Sequence, residues 1–229
     1  MRSDVGSSGL KVFAAAVVAV TVGLATAGCT NDDPGGDATV PPSVASSSAV
    51  APSMTFEEAY RKLPMDGTTD LPITWDLAGA PDTDEVLAAR RSLAFIYWQM
   101  SSSDWSPITP IGRFLYTEEY FEKVFAPLAN TTSDNPSIGP IWVKPIGVEG
   151  TGADQATVIF CTDLGYWHEV EQKNPKVRTK RGTVQSYVMK NVESGDGERH
   201  WLADRVFDPD VDRQAKYGAE CTKWALHQP

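Results

Sequence analysis

The sequence predicts an α+β domain, with helices in its first half and an antiparallel sheet of about four strands in its second half. The prediction rests on two observations. Residues 82–100 carry apolar side chains at intervals of three and four, as a helix that packs on a core does. Beyond Gly139, segments rich in apolar and β-branched residues alternate with turn sequences, which is typical of antiparallel strands.

The first 28 residues have the features of a secretory signal. Arg2 and Lys11 supply positive charge, and residues 12–27 form an uncharged, mainly apolar run of sixteen residues. A helix that crosses a membrane needs about 20 such residues, so a permanent transmembrane helix is disfavoured. The run ends in the small residues Ala27 and Gly28, and Cys29 follows them directly.

This junction resembles the lipobox of bacterial lipoproteins, whose cysteine becomes the first residue of the mature protein and carries a diacylglyceryl group. Thr26 stands where leucine is usual, three residues before the cysteine. The resemblance implies lipidation of Cys29, with palmitate-type chains, and stable anchoring to the extracytoplasmic face of the cell membrane, because two acyl chains hold a protein where one does not. The alternative is a plain secreted protein that has a cysteine at this position.

Residues 29–53 are predicted to form a disordered stalk between the anchor and the domain. They are mainly Gly, Pro, Ser, Ala, Thr, Val and Asp and contain no aromatic residue. Such a composition buries too little apolar surface to offset the entropy of ordering the chain.

Charge excludes some classes of partner. Removal of residues 1–28 takes away two basic residues and one acidic residue, so the net charge changes from −10 to −11. A mature protein this acidic is unsuited to bind nucleic acid, or to bind anionic lipid through charge.

Residues 54–229 are predicted to form a single domain, which is long enough for a substantial core. A first helix is expected after Thr55, which has Glu58 three residues later and can form a capping box. Residues 64–81 are expected to be loop, with an extended segment at 71–75. The long helix over 82–100 would be capped by Asp82 or Thr83, and its Arg90 and Arg91 are interpreted as a solvated face or packing stems rather than a ligand site. A proline-containing loop over 105–113 and a helix over 117–125, capped by Thr117, come next.

The strands are expected at residues 141–149, 155–163, 177–192 and 200–207. Pro145 favours an edge position for the first of them. A turn is predicted at 150–154 and a tight hairpin at 194–197. Residues 208–229 are expected to be a tail.

This order of elements resembles the nuclear transport factor 2-like superfamily, also called cystatin-like, and in particular its secreted and lipid-anchored actinobacterial members. The resemblance is carried by residues 158–163 and 195–202 and by Cys221 near the C-terminus, and it covers residues 82–224. It implies a cone-like roll in which a curved sheet wraps around the long helix, often with a pocket between them.

If Cys29 carries lipid, Cys161 and Cys221 remain. An exported domain lies in an oxidising compartment, so these two cysteines are expected to form a disulfide. Closing a loop of about 60 residues would stabilise the fold by roughly 4 kcal/mol on the chain-entropy model. The alternative is two separate buried thiols. The three histidines match no zinc-ligand spacing, and neither a metal nor a cofactor is expected.

The sequence indicates where the protein is located more specifically than it indicates what the protein does. No nucleophile elbow, P-loop or dinucleotide-binding glycine pattern is present, and the candidate acid–base residues fit no motif: Tyr97, Tyr116, Asp163, His168 and Asp204. We therefore expect a non-catalytic binding or interaction module. It would hold a small apolar ligand in the cone, or dock on an envelope protein through its sheet face or through the contact surface Tyr166, Trp167 and His168. The alternative is a small isomerase- or dehydratase-like enzyme, which needs a carboxylate or histidine of shifted pKa beside a tyrosine in the cavity.

Overall fold

The structure is a computed structural model that describes residues 54–173 and 175–229, apart from the side chain of Thr151. The predicted signal, the lipidated Cys29 and the stalk lie outside the described residues. The α+β prediction is confirmed: helices pack on a curled, mostly antiparallel sheet of five strands.

Among the described residues, three helices precede the long strands, and they begin where the sequence predicts. They are α1 (Phe56–Lys62), α2 (Asp84–Met100) and α3 (Glu118–Val124). The capping box of α1 is present, since Thr55 Oγ1 accepts a hydrogen bond from Glu58 N at 3.2 Å and Glu58 Oε2 accepts one from Thr55 N at 2.8 Å. Thr117 caps α3 by accepting a bond from Tyr120 N at 3.4 Å. The loop predicted over 105–113 contains a 3₁₀ helix, Thr109–Phe114.

In the described part of the chain, seven strands form two sheets. They are β1 (Ile73–Trp75), β2 (Ser137–Ile138), β3 (Ile141–Gly152), β4 (Gln155–Asp163), β5 (His168–Glu169), β6 (Gly182–Glu193) and β7 (Arg199–Phe207). The main sheet has the order β1-β3-β4-β6-β7, and β2 pairs with β5 in a separate two-stranded sheet. Within the main sheet only β1 is parallel to its neighbour, β3.

The main sheet has one strand more than the four that the sequence predicts. The additional strand is β1, which lies where the sequence predicts only an extended segment. Its three residues pair with Ile141–Val143 alone. The rest of β3 therefore has no strand on that side within the described part of the chain. Pro145 lies in this free stretch, as its missing N–H requires.

The prediction that residues 208–229 form a tail is wrong, because they contain a fourth helix, α4 (Val211–Trp224). Asp210 caps it by accepting a hydrogen bond from Arg213 N at 3.0 Å. The helix covers the outer face of the sheet, where Ile159, Cys161 and Val184 pack against Cys221. A disulfide bond joins Cys161 to Cys221, with the two Cα atoms 5.4 Å apart.

Alternation along β4 and β6 divides the core into two parts. One set of side chains points to α4, and the other set packs in the main core with α2, namely Val158, Phe160, Tyr187 and Met189. The predicted strand over 177–192 begins later, at Gly182. The reason is that residues 178–181 bond to the preceding loop and to the end of β4 instead of pairing in the sheet. Arg178 N donates to Gly165 O at 2.9 Å, and the Arg181 guanidinium donates to the Asp163 carboxylate.

Candidate functional site

The space between α2 and the sheet is filled by the domain's own side chains. The largest of them are at most 2 % exposed, and they include Phe95, Tyr116, Phe160, Tyr187 and Met189. Edge-to-face contacts join Phe95 to Tyr116 and Phe160 to Tyr187, with ring centroids 5.7 Å and 5.6 Å apart. The region where the predicted fold family often has a pocket is thus a packed aromatic core.

A small polar cluster interrupts this core. The Tyr97 hydroxyl accepts a hydrogen bond from Gln185 Nε2 at 3.1 Å, and both side chains are buried. Burial raises the pKa of Tyr97, and the nearby Asp208 carboxylate raises it further. Asp208 taken as a whole is exposed, but its carboxyl group is largely shielded from water. This desolvation raises the pKa of Asp208 more than hydrogen bonding with Gln185 lowers it. The cluster thus brings a carboxyl of raised pKa near a buried tyrosine.

The other four candidate acid–base residues make separate structural contacts. The Tyr116 hydroxyl donates to Ser92 O at 2.7 Å. Asp204 accepts a bond from Thr117 Oγ1 at 3.2 Å and pairs with Lys190 at 2.9 Å. Those contacts hold α3 and β6 to β7, which is a packing role.

Asp163 and His168 also have partners from within the fold. Asp163 pairs with Arg181 and His227 on the outer face of the sheet, 2.8 Å and 3.0 Å away. Burial alone would raise the pKa of Asp163, but hydrogen bonds from Arg181, Gly165 and His227 outweigh it and hold the pKa below its ordinary value.

The predicted contact surface Tyr166, Trp167 and His168 is half-buried. The Tyr166 hydroxyl donates to Gln228 Oε1, and the Arg178 guanidinium lies 4.4 Å from the centroid of the Trp167 ring. His168 Nδ1 lies 2.8 Å from Tyr166 O. Tyr166 thus connects the loop to the C-terminal residues, Trp167 packs against the core, and the His168 contact stays within the loop.

The domain also has an open surface that no sequence pattern predicts, which we call the Phe56 groove. It consists of two adjoining depressions of about 450 Å³ and about 820 Å³ that share Phe56, Phe114 and Gly195. The groove lies between α1, the 3₁₀ helix and the β6–β7 hairpin, and its other lining residues include Met54, Tyr60, Phe121 and His200. Met54 is the first described residue, so the chain enters the domain at this groove.

Stacked rings fix the centre of the groove. The ring of Phe56 lies parallel to His200, with centroids 3.6 Å apart, and meets Phe114 edge to face at 5.1 Å. His200 Nε2 lies 2.9 Å from Asp196 Oδ2. The Glu198 backbone N–H and the His200 side chain lower the pKa of Asp196, so this carboxyl is ionised at neutral pH.

Carboxylates surround this aromatic centre. Glu57, Glu118, Glu193 and Asp196 line the two depressions. The basic residue on the lining, Arg113, is already paired with Glu122 at 2.7 Å. The Phe56 groove therefore combines an aromatic floor with a negatively charged rim. No local pattern predicts it, because α1 meets the β6–β7 hairpin only in the folded chain.

Within residues 54–173 and 175–229, no group of three or more His, Cys, Asp or Glu side chains is arranged to hold a metal ion. None of the helices in these ranges has the length and apolar character needed to cross a membrane. No protein-family model matches the chain, and no curated protein or solved structure is significantly similar to it.

Proposed function

We propose that this chain is a lipid-anchored protein of the bacterial cell envelope whose domain acts as a non-catalytic interaction module. Residues 1–28 would direct export, Cys29 would carry the lipid, and residues 29–53 would hold the domain away from the extracytoplasmic face of the cell membrane. The domain would be a cone-like roll of the nuclear transport factor 2-like type, with the sheet curled around α2.

The packed interior supports binding at the surface rather than inside the cone. Phe95, Phe160 and Tyr187 occupy the space that a small apolar ligand would need, and each is at most 2 % exposed. A ligand could enter only by displacing these rings, and emptying such a site costs several kcal/mol. A partner protein therefore suits this domain better than a small ligand does.

Cell fractionation tests the anchoring. The full chain and its Cys29→Ser variant would be expressed in a bacterium that matures lipoproteins, and the membrane and soluble fractions would be compared. We expect the unaltered chain in the membrane fraction and the variant in the soluble extracytoplasmic fraction. Ser47→Ala, which alters the linker and leaves the cysteine, is the matched control. Equal membrane association of both variants would contradict the proposal.

A second candidate function is acid–base catalysis of the isomerase or dehydratase type. It is favoured by one observation, the cluster in which Asp208 and Tyr97 approach the same Gln185 side chain. The test is exchange of substrate C–H protons for deuterium across a panel of small ketones and hydroxy acids. Under this candidate Asp208→Asn abolishes exchange and Asp204→Asn preserves it. No exchange by the unaltered protein would favour the interaction module.

A further inference from the structure

We infer that the Phe56 groove binds a cationic, apolar peptide segment, one in which lysine or arginine residues are interspersed with large apolar residues. The inference rests on the proposed function as an interaction module and gives that module a site and a class of partner. It follows from the aromatic floor of the groove, its acidic rim and its place on the domain.

The aromatic floor suits both kinds of side chain in such a segment, the apolar ones and the basic ones. Phe56 and Phe114 offer apolar surface in depressions of about 450 Å³ and about 820 Å³, which is room for several side chains. Aromatic faces also attract cations. The same attraction places two of the domain's own guanidinium groups on lining rings, Arg91 at 3.8 Å from the Tyr60 centroid and Arg113 at 4.4 Å from the Phe121 centroid, so one face of each of these rings is already occupied.

Asp196 is already hydrogen-bonded to His200, but the other three rim carboxylates lack strong partners. Glu118 and Glu193 are exposed and form no ion pair with any described residue. Glu57 approaches Arg61 only at 4.0 Å, in a pair whose side chains are 83 % and 68 % exposed. An exposed pair of this kind contributes little. A basic segment would therefore meet carboxylates that are free to pair with it, on a mature chain whose net charge is −11 after loss of residues 1–28.

The position of the groove limits where the partner lies. Met54 lines the groove and is where the domain joins residues 29–53. At 3.3–3.6 Å per residue, this linker spans at most about 90 Å when fully extended. With Cys29 anchored, the groove would stay within that distance of the membrane, so the partner segment must also come within that distance of it.

Fluorescence anisotropy with labelled peptides tests the inference on the full mature chain, purified in detergent. The probe is a 16-residue peptide of lysine and leucine in alternating pairs, and the control probe has glutamate in place of lysine. We expect the lysine peptide to bind, and to bind more weakly as salt rises from about 50 to 200 mM because charge pairs are screened. The glutamate peptide should neither bind nor compete with the lysine peptide. A lysine and serine peptide of the same charge should bind more weakly, since it lacks apolar side chains.

Exposed rim carboxylates allow a variant that preserves the fold. The triple variant Glu57→Gln, Glu118→Gln and Glu193→Gln should weaken binding of the lysine peptide by about eightfold, because each exposed pair contributes roughly twofold. The matched control removes three exposed carboxylates elsewhere, by the substitutions Asp134→Asn, Glu171→Gln and Glu220→Gln. It loses the same charge and should change binding less than twofold.

Equal loss in both triple variants would show a general charge effect and overturn the inference, as would equal binding of the two probes. Failure of the proposed function is distinguishable from this result. A chain that fractionates with the membrane through Cys29 but ignores the lysine peptide overturns the groove inference alone. A chain that is soluble with Cys29 intact overturns the proposed function, whatever the peptides do.

Discussion

Replacement of Asp163 by alanine should destabilise the domain strongly, because this carboxylate joins three parts of the fold. Asp163 is fully buried at the end of β4. It accepts hydrogen bonds from Arg181 Nε at 3.0 Å and Arg181 Nη2 at 2.8 Å, from Gly165 N at 2.9 Å and from His227 N at 3.1 Å. The substitution thus releases the residue before β6, the loop after β4 and the C-terminal residues together.

The expected cost follows from the burial of the partner. The Arg181 side chain is 8 % exposed, so the alanine variant leaves a buried guanidinium without its carboxylate. Breaking a buried ion pair from one side costs about 3–5 kcal/mol. A domain of this kind has a total stability of about 5–15 kcal/mol, so the variant should fold with a much reduced margin.

Urea unfolding at pH 7, followed by tryptophan fluorescence, measures the loss. The control is Asp154→Ala, which breaks the exposed pair with Arg199, whose side chains are 67 % and 50 % exposed. That change should cost less than about 1 kcal/mol. The double variant Asp163→Leu with Arg181→Met should recover much of the loss, because it removes both buried charges. If Asp163→Ala costs no more than Asp154→Ala, the pair does not hold these segments and the reasoning fails.

Three further predictions concern stability. Replacing both Cys161 and Cys221 by serine should lower the free energy of unfolding by roughly 4 kcal/mol for a sequence separation of 60, measured by urea titration beside the reduced parent, which should lose a similar amount. The folded-state pKa of Asp163 is lowered, so the stability that its carboxylate contributes is complete above the unfolded pKa of about 3.9 and is lost as pH falls from that value toward the folded-state pKa. Asp163→Asn should therefore flatten the curve of unfolding free energy against pH below about pH 4, and an unchanged curve would refute this. Thr55→Ala should cost about 1 kcal/mol in thermal unfolding, whereas Thr55→Ser should cost little because serine retains the cap.

The features that the sequence predicts well are those that depend on neighbouring residues. The capping box of Thr55 and Glu58 is a pattern within four positions, and the structure contains it. Strand β4 occupies the predicted residues 155–163, since its β-branched and apolar run is bounded by turn residues on both sides. Such signals need no knowledge of the rest of the fold.

Helix α4 shows where local signals fail. Its buried face is narrow, with Gly218 and Cys221 buried and Tyr217 and Trp224 packed beside them, in a segment that is otherwise polar. The sheet supplies the surface that makes this helix stable, and that surface is formed by distant residues. Asp210, a residue type that favours the N-cap, is the local signal of this helix, and the prediction of a tail over 208–229 did not use it.

The Phe56 groove was beyond sequence reasoning for the same reason. The stacked pair of Phe56 and His200 joins the first helix to the last long strand, and neither residue belongs to a motif. The packed interior was equally hidden, because Tyr97 and Tyr116 are candidate acid–base residues by type and only their neighbours show that they belong to the core. Sequence patterns predicted the elements, whereas the candidate site depends on how the elements meet.

The account depends on Cys29 as the residue that holds the domain at the membrane, and an intact-mass measurement of the protein purified from bacterial membranes tests this directly. We predict a chain that begins at Cys29 and carries the added mass of a diacylglyceryl group. A chain that retains residues 1–28, or one that is cut elsewhere and carries no lipid, would contradict the account.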